Sequence, residues 1–365
     1  MPMPPSSQEP RIKALTARAV RVPMPQPHRT ASGVVSESPL VLTDITLDSG
    51  VVGRSITFTY TPVALGPTTD LIRNTEPLLS GNAAAPAEIS RGLAARFRLL
   101  GAQGLVGMAL AAIDMALWDG LARTHGVSLA HLLGGLPKPT QAYGAIGYDG
   151  PDESARVAEA WAQRGFRGVK AKIGYPTVAE DVSVIRAIRR AAGEETAVMV
   201  DYNQSLTPSE AVERLRILDA EGLTWVEEPS LAHDYAGHAK VAREARTPVQ
   251  AGENWWGITD FAHALEAGAT DFVMADVMKV GGVTGWLEAA ALANAHRIRM
   301  SNHLWPEISA QLLSVTPTAH WLEYADWWNP ILAEPLRIKD GMSDPTGVIG
   351  TGTEWNEAAV EKFLI

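Results

Sequence analysis

The chain has 365 residues, 46% hydrophobic and 20% charged, which is enough for roughly two domains with self-sufficient cores and excludes disorder as the main state. It contains no cysteine, which removes disulfides, thiolate nucleophiles and Cys-ligated zinc or iron–sulfur centres. A net charge of −10 argues against nucleic acid or an anionic membrane as the main partner.

The opening MPMPPSSQEP is Pro/Ser-rich without an apolar run, so 1–10 reads as a disordered tail rather than a secretory signal. No later stretch approaches the roughly 18 uninterrupted apolar residues of a membrane helix, and the expected location is cytoplasmic. Residues 15–22 and 39–47 read as strands joined by a polar Pro/Gly/Ser loop over 25–38, with a third strand at 51–60 after a Ser49-Gly50 turn. Helical stretches follow. In 104–123 (GLVGMALAAIDMALWDGLAR) the apolar residues go nearly all round, which predicts a buried helix. Strands first and helices after predict an α+β domain over 11–137.

From Gln141 the texture is periodic. The runs QAYGAI, GVKAKIG, AVMVDYN, LTWVEE, PVQAGEN, FVMADVMK, IRMSNH and HWLEY alternate with helix-length segments across 138–324. A titratable residue marks the end of each run from the second onward: Lys172, Asp201, Glu227, Glu253, Asp276, His303 and Glu323, at intervals of 20 to 29 residues. That is the length of a βα unit, and about eight of them predict an α/β barrel of TIM type. A doubly wound sheet would carry a Gly-rich fingerprint after its first strand, and Gly147-Tyr148-Asp149-Gly150 is not one. Gly281-Gly282-Val283-Thr284-Gly285 lacks dinucleotide spacing and a P-loop Lys-Ser/Thr pair, so it reads as a tight turn. The last segment, 325–365, carries Pro330, Pro335 and Pro345 and is expected to pack back on the first domain.

Catalytic groups of such barrels sit where the strands end. Asp201, Glu227 and Glu253 fall on three consecutive strands. Three unpaired carboxylates that close repel, and a cation resolves the repulsion. All-oxygen ligands favour magnesium, with manganese the alternative, over zinc. Period-two alternation points Lys170 and Lys172 into the barrel. Two neighbouring ammonium groups beside a metal should depress each other's pKa, making Lys172 a proton acceptor, while the deeper Lys170 holds a substrate oxygen. Asp276 on strand six can bond His303 on strand seven and fix its tautomer. Strands about 45° apart then let Lys172 and His303 address opposite faces of one molecule, as a 1,1-proton transfer requires. Glu323, if protonated, can donate to a carboxylate oxygen. Lys279, just past Asp276, faces either pocket or solvent.

The segments VKAKIGYP, MVDYNQSL, WVEEP, AGENW, MADVMKVGG, SNHLWPEIS and HWLEY, in this order, resemble the mandelate racemase subgroup of the enolase superfamily. TPVAL, DYNQSL, GGVTGW and TPTAHWLE are similar to the racemase for which the subgroup is named. The resemblance implies a (β/α)7β modified TIM barrel capped by the N-terminal α+β domain, with magnesium on Asp201, Glu227 and Glu253. It implies Lys172 and His303 as bases, Asp276 as the partner of His303, Glu323 as electrophile, Asn203 against the substrate hydroxyl, and a homo-oligomer, often an octamer. It also implies a substrate lid at 25–35 (PQPHRTASGVV), where His28, Arg29 and Ser32 are polar in place of an apolar phenyl-binding lid. The first barrel strand offers Ala145, Ile146 and Gly147 where a hydroxyl is expected to help bind the carboxylate. Phe58 and Tyr60 supply an aromatic wall, to which Trp305, Trp327 and Trp328 could add.

The expected activity is racemisation of a small 2-hydroxy carboxylate, mandelate or an aryl or alkyl relative, through a magnesium-stabilised enolate. The alternative is dehydration of an acid sugar in the same cradle, with His303 expelling a 3-hydroxyl. A non-catalytic binding protein would show a broken catalytic position, and none is broken.

Overall fold

The computed structural model describes residues 9–30 and 33–365. Most of the expected tail, 1–8, and Ser32 of the expected lid lie outside the described residues. The first domain opens with three antiparallel strands in chain order, β1 (Ile12–Thr30), β2 (Gly33–Leu47) and β3 (Val52–Phe58). The polar loop expected over 25–38 is instead the far end of a β1–β2 ribbon. Pairing runs continuously from Ala14↔Thr46 to Pro23↔Glu37, then resumes at His28↔Val35. Pro25 and Pro27 fall in the register shift between, where no ladder N–H is needed, so they do not stop the strand.

The buried helix is present as Gly104–Thr124. It is the one described helix long and apolar enough by composition to cross a membrane; here it fills the space between the sheet and the second domain. A Cβ on Gly53 of β3 would lie 2.0 Å from the Ala116 carbonyl oxygen, so the sheet rests directly on the helix backbone. At its other side Asp114 accepts the Thr284 N–H at 3.0 Å, which fastens the Gly281-Gly282 turn to it.

The second domain is a barrel of eight parallel strands: β4 (Ala142–Ile146), β5 (Gly168–Lys172), β6 (Ala197–Asp201), β7 (Val226–Glu227), β8 (Val249–Ala251), β9 (Phe272–Asp276), β10 (Arg299–His303) and β11 (Leu322–Tyr324). Their order is β10-β9-β8-β7-β6-β5-β4-β11, with one helix between each consecutive pair. The seam between β10 and β11 is closed by a parallel bridge at Met300↔Ala319 and by the Asn302 side chain, whose Oδ1 accepts the Glu323 N–H at 2.8 Å. Tyr143, Met199, Trp225 and Trp321 fill the floor, so the barrel is a packed core open only at the rim. Capping boxes at Thr177/Glu180 and Thr207/Glu210 start the helices after β5 and β6. The C-terminal segment returns to the first domain through Arg18–Glu357 (2.6 Å) and Trp355 Nε1 to Asp44 (2.7 Å).

Candidate active site

Ladder register sets the site. Lys172 pairs with Asp201 and Asp201 with Glu227 across β5, β6 and β7. His303 pairs with Asp276 across β10 and β9. These side chains therefore stand at one height, at the C-terminal rim, and Glu253 follows β8 by two residues. One carboxylate oxygen each from Asp201, Glu227 and Glu253 lies within 4.8 Å of the others, and all three residues are buried. Burial, with Asp201, Glu253 and Glu323 nearby, pushes the Glu227 carboxyl up despite Lys170. Such a surplus of buried negative charge, presented entirely by hard oxygens, fits magnesium.

Each carboxylate is held from behind. Glu227 Oε2 accepts Trp225 Nε1 and Gln250 Nε2, both at 3.1 Å, while its Oε1 pairs with Lys170. Asp201 accepts Lys172 Nζ (2.8 Å), the Asn203 N–H (2.7 Å) and Asn203 Nδ2 (2.9 Å). Glu253 accepts Asn254 Nδ2 at 3.0 Å and faces His303 Nε2 at 3.4 Å. Asp276 Oδ2 accepts His303 Nδ1 at 2.8 Å and the Tyr60 hydroxyl at 3.1 Å.

Above them lies a cavity of about 700 Å³, lined by the apolar Val35, Phe58, Met108, Ile146, Leu304 and Trp327 and by the polar Asn203, Gln204, Ser205, Asn254 and Lys279. Lys170, Lys172, Glu253, His303 and Glu323 form its base, and His28 and Tyr60 reach in from the first domain. Of the two placements open to Lys279, the cavity is the one observed: its Nζ donates to Asn254 Oδ1 at 2.6 Å and sits 4.7 Å from the Tyr60 ring centre.

Several expectations need correction. Burial and, less strongly, Lys170 lower Lys172 as expected, but Asp201 and Glu253 together outweigh them, so its pKa is raised rather than depressed. Lys170 is raised too, by Glu227 and Glu323. Burial pushes Glu323 up, yet Lys170 and His303 bring it below its usual range, so in this state it accepts from Lys170 Nζ (2.9 Å) and the Leu304 N–H (3.0 Å) rather than donating. Arg29 does not line the cavity; it turns outward, 3.6 Å from Asp149. Of the three tryptophans, Trp327 alone lines the cavity. Trp305 and Trp328 are buried in the core, their indole N–H groups donating to the Ile56 carbonyl at 2.9 Å and to Glu307 at 3.2 Å. Met108, Gln204, Ser205, Asn254, Trp256 and Leu304 were not anticipated. Asn254 sits beside Glu253 in AGENW and could have been flagged; Met108 is one apolar residue of an apolar helix and carried no signal.

Residues 13–134 match the mandelate racemase / muconate lactonizing enzyme N-terminal domain, and residues 152–359 match the enolase C-terminal domain-like family. The chain is 33% identical over 272 residues to L-talarate/galactarate dehydratase of Salmonella typhimurium, covering 72% of this chain and 68% of that protein. Its structure is similar to that of an enolase from Bradyrhizobium complexed with magnesium and mandelic acid, with a TM-score of 0.95, 45% identity, and 98% and 99% of the two chains covered. It is also similar to L-talarate dehydratase from Polaromonas sp. JS666 complexed with magnesium and L-glucarate, with a TM-score of 0.89, 28% identity, and 98% of each chain covered.

Proposed function

The chain belongs to the mandelate racemase/muconate lactonizing enzyme family of the enolase superfamily, and from that premise we propose that it racemises a 2-hydroxy carboxylate, mandelate or an aryl or alkyl relative. The family's chemistry is magnesium-dependent and passes through an enolate. The observation that carries the proposal is the opposition of Lys172 and His303. Both face one cavity, from β5 and β10. Three strand steps separate those strands by way of β4 and β11, roughly 135° around an eight-stranded ring.

A 2-hydroxy acid bound over Asp201, Glu227 and Glu253 presents its α-carbon between those two nitrogens. Magnesium held by the trio would polarise the substrate carboxylate and take up the charge of Asp201, which otherwise keeps Lys172 protonated. Lys172, as free amine, removes the α-proton from one face; His303 Nε2, as imidazolium, returns a proton to the other. Asp276 at Nδ1 keeps Nε2 the nitrogen that takes and gives that proton. Lys170 and Glu323, 2.9 Å apart, lie where the substrate carboxylate would sit; Lys170 as ammonium, and Glu323 once it has taken up a proton, would donate hydrogen bonds to the added negative charge. The apolar lining residues Val35, Phe58, Met108, Ile146 and Leu304 suit an aryl or alkyl substituent.

A second reading, dehydration of an acid sugar, is favoured by one observation: the cavity is also lined by Asn203, Gln204, Ser205, Asn254 and Lys279, a set of donors and acceptors suited to a polyol chain. Imidazolium His303 would then protonate a departing 3-hydroxyl. The deciding experiment incubates the magnesium-loaded protein in D2O with each enantiomer of a panel of 2-hydroxy acids and with an aldonate and aldarate library. Wash-in of deuterium at Cα from both enantiomers supports racemisation; accumulation of a 2-keto acid supports dehydration; neither outcome overturns both.

A further inference from the structure

Outside the cavity, one buried carboxylate collects donors from three segments of chain. Asp181, in the first turn of the helix Val178–Ala192, is fully buried. Its Oδ1 accepts the N–H groups of Gly174 and Tyr175, both at 2.9 Å, two and three residues beyond Lys172. Its Oδ2 accepts the Tyr202 hydroxyl at 2.9 Å, next to Asp201, and Arg214 Nη1 at 2.6 Å. Gly174 is held at φ +111°, where a Cβ would come within 3.1 Å of Ser205 Oγ and 3.3 Å of the Tyr202 ring. The segment after β5 is therefore seated on the segment after β6.

The same segment reaches the ribbon that roofs the cavity through the turn after β4, residues 147–150. The Tyr175 ring stacks on Tyr148 with centres 4.1 Å apart and planes 16° from parallel. The Tyr175 hydroxyl accepts the Gly150 N–H at 2.7 Å, and the Tyr148 hydroxyl donates to the Gly174 carbonyl at 3.4 Å. On its other side the Tyr148 N–H donates to the Arg29 carbonyl at 2.8 Å. Gly147 completes the joint: a Cβ there would meet Arg29 N at 3.0 Å, so the roof strand lies against this turn backbone to backbone.

We propose that Asp181 is a positioning residue that holds the strand ends bearing Lys172 and Asp201 in register with each other, and that the Tyr148–Tyr175 stack ties the seating of the roof to it. None of Asp181, Tyr175 and Tyr148 lines the cavity, so each acts through other residues. Proton transfer tolerates little misplacement of the base, which is what a four-donor anchor behind Lys172 prevents.

Hydrogen–deuterium exchange on the magnesium-loaded protein tests this without reference to turnover. Tyr148→Ala, at a half-buried position, should speed amide exchange about tenfold both in the roof (25–30 and 33–37) and in 173–176. Asp181→Asn should do the same from the other end, with Tyr202→Phe replacing it if that variant does not fold. Faster exchange in the roof alone, or in neither segment, overturns the coupling. A kinetic arm rests on the reading of Lys172 as a base. Tyr202→Phe should slow α-proton exchange about tenfold more from the enantiomer facing Lys172 than from the enantiomer facing His303, which shares only the Asp201 ligand, at nearly unchanged KM. Equal slowing of both enantiomers, or a change in KM alone, overturns the positioning role. If the wild-type protein exchanges no acid, the racemase reading falls while the amide data still decide the coupling.

Discussion

Asp276→Asn isolates the orientation of His303. Asp276 Oδ1 accepts the N–H groups of Met278 (2.8 Å) and Lys279 (3.0 Å), and Oδ2 accepts His303 Nδ1 (2.8 Å) and the Tyr60 hydroxyl (3.1 Å). An asparagine has only one acceptor oxygen. The two backbone donors cannot rotate away, so they claim it, and the new amide N–H group faces His303. The imidazole then keeps a hydrogen bond only by offering Nδ1 as acceptor, which moves its proton to Nε2, the nitrogen 3.4 Å from Glu253. An imidazole protonated there cannot accept the α-proton. In a serine protease triad the wrong tautomer costs about 10⁴ in kcat. At about 1.36 kcal/mol per decade, a loss of ~10³–10⁴ on the His303 side corresponds to roughly 4–5.5 kcal/mol. Lys172, on β5, lies four strand steps from Asp276 on β9, so the enantiomer whose proton faces Lys172 should exchange within about threefold of wild type. Proton NMR in D2O, run on each mandelate enantiomer alongside a thermal melt, reads both quantities. Equal slowing of the two enantiomers, or racemisation within tenfold of wild type in a properly folded variant, would refute the tautomer reasoning.

Glu323→Gln should lower kcat about 10²–10³-fold with KM within about threefold, because a proton donated by Glu323 acts mainly on charge developing in the transition state; steady-state kinetics showing a KM effect alone would contradict this. Dialysis against a chelator should abolish activity and magnesium restore it, and Asp201→Asn should weaken magnesium binding at least about tenfold by titration calorimetry; unaltered affinity would remove Asp201 from the ligand set. Gly53→Ala drives a methyl into the Ala116 carbonyl and should destabilise the first domain by about 2–3 kcal/mol, visible as a lower Tm; an unchanged Tm would contradict the direct sheet–helix contact. Burial, with Arg299 adding, lowers His320 to about 4, so between the unfolded value near 6.5 and about 4 the unfolded chain binds more protons. Stability from this group is complete above about pH 6.5 and declines as pH falls toward 4, by up to about 3 kcal/mol. His320→Phe should flatten that limb of the Tm–pH curve, and an identical slope would show that other groups dominate it.

The barrel was legible because its signals are local. A strand such as GVKAKIG shows its two faces by alternation, and the spacing between successive polar strand ends reports the length of one βα unit. The helix 104–124 announced its burial through its composition. The ribbon over 25–38 was read as a loop because prolines normally break ladders, and nothing local reveals that two of them fall where the register slips. Met108, inside an apolar helix, was indistinguishable from its neighbours until the cavity had a position.

By itself the sequence determined the number and kind of the barrel's elements and which polar side chains end its strands. Backbone periodicity ties those features to neighbours a few residues away. Only the tertiary structure decided what each of those side chains does when packed. Lys172 donates to Asp201, 29 residues distant, which raises its pKa. Glu323 is pushed up by burial but brought below its usual range by Lys170 and His303. Tyr60 reaches Asp276 across 216 residues, and Arg29 turns from the cavity toward Asp149. A charge state is the balance between desolvation and the field of every nearby group, and those groups become neighbours only when the barrel closes and the first domain settles on its rim.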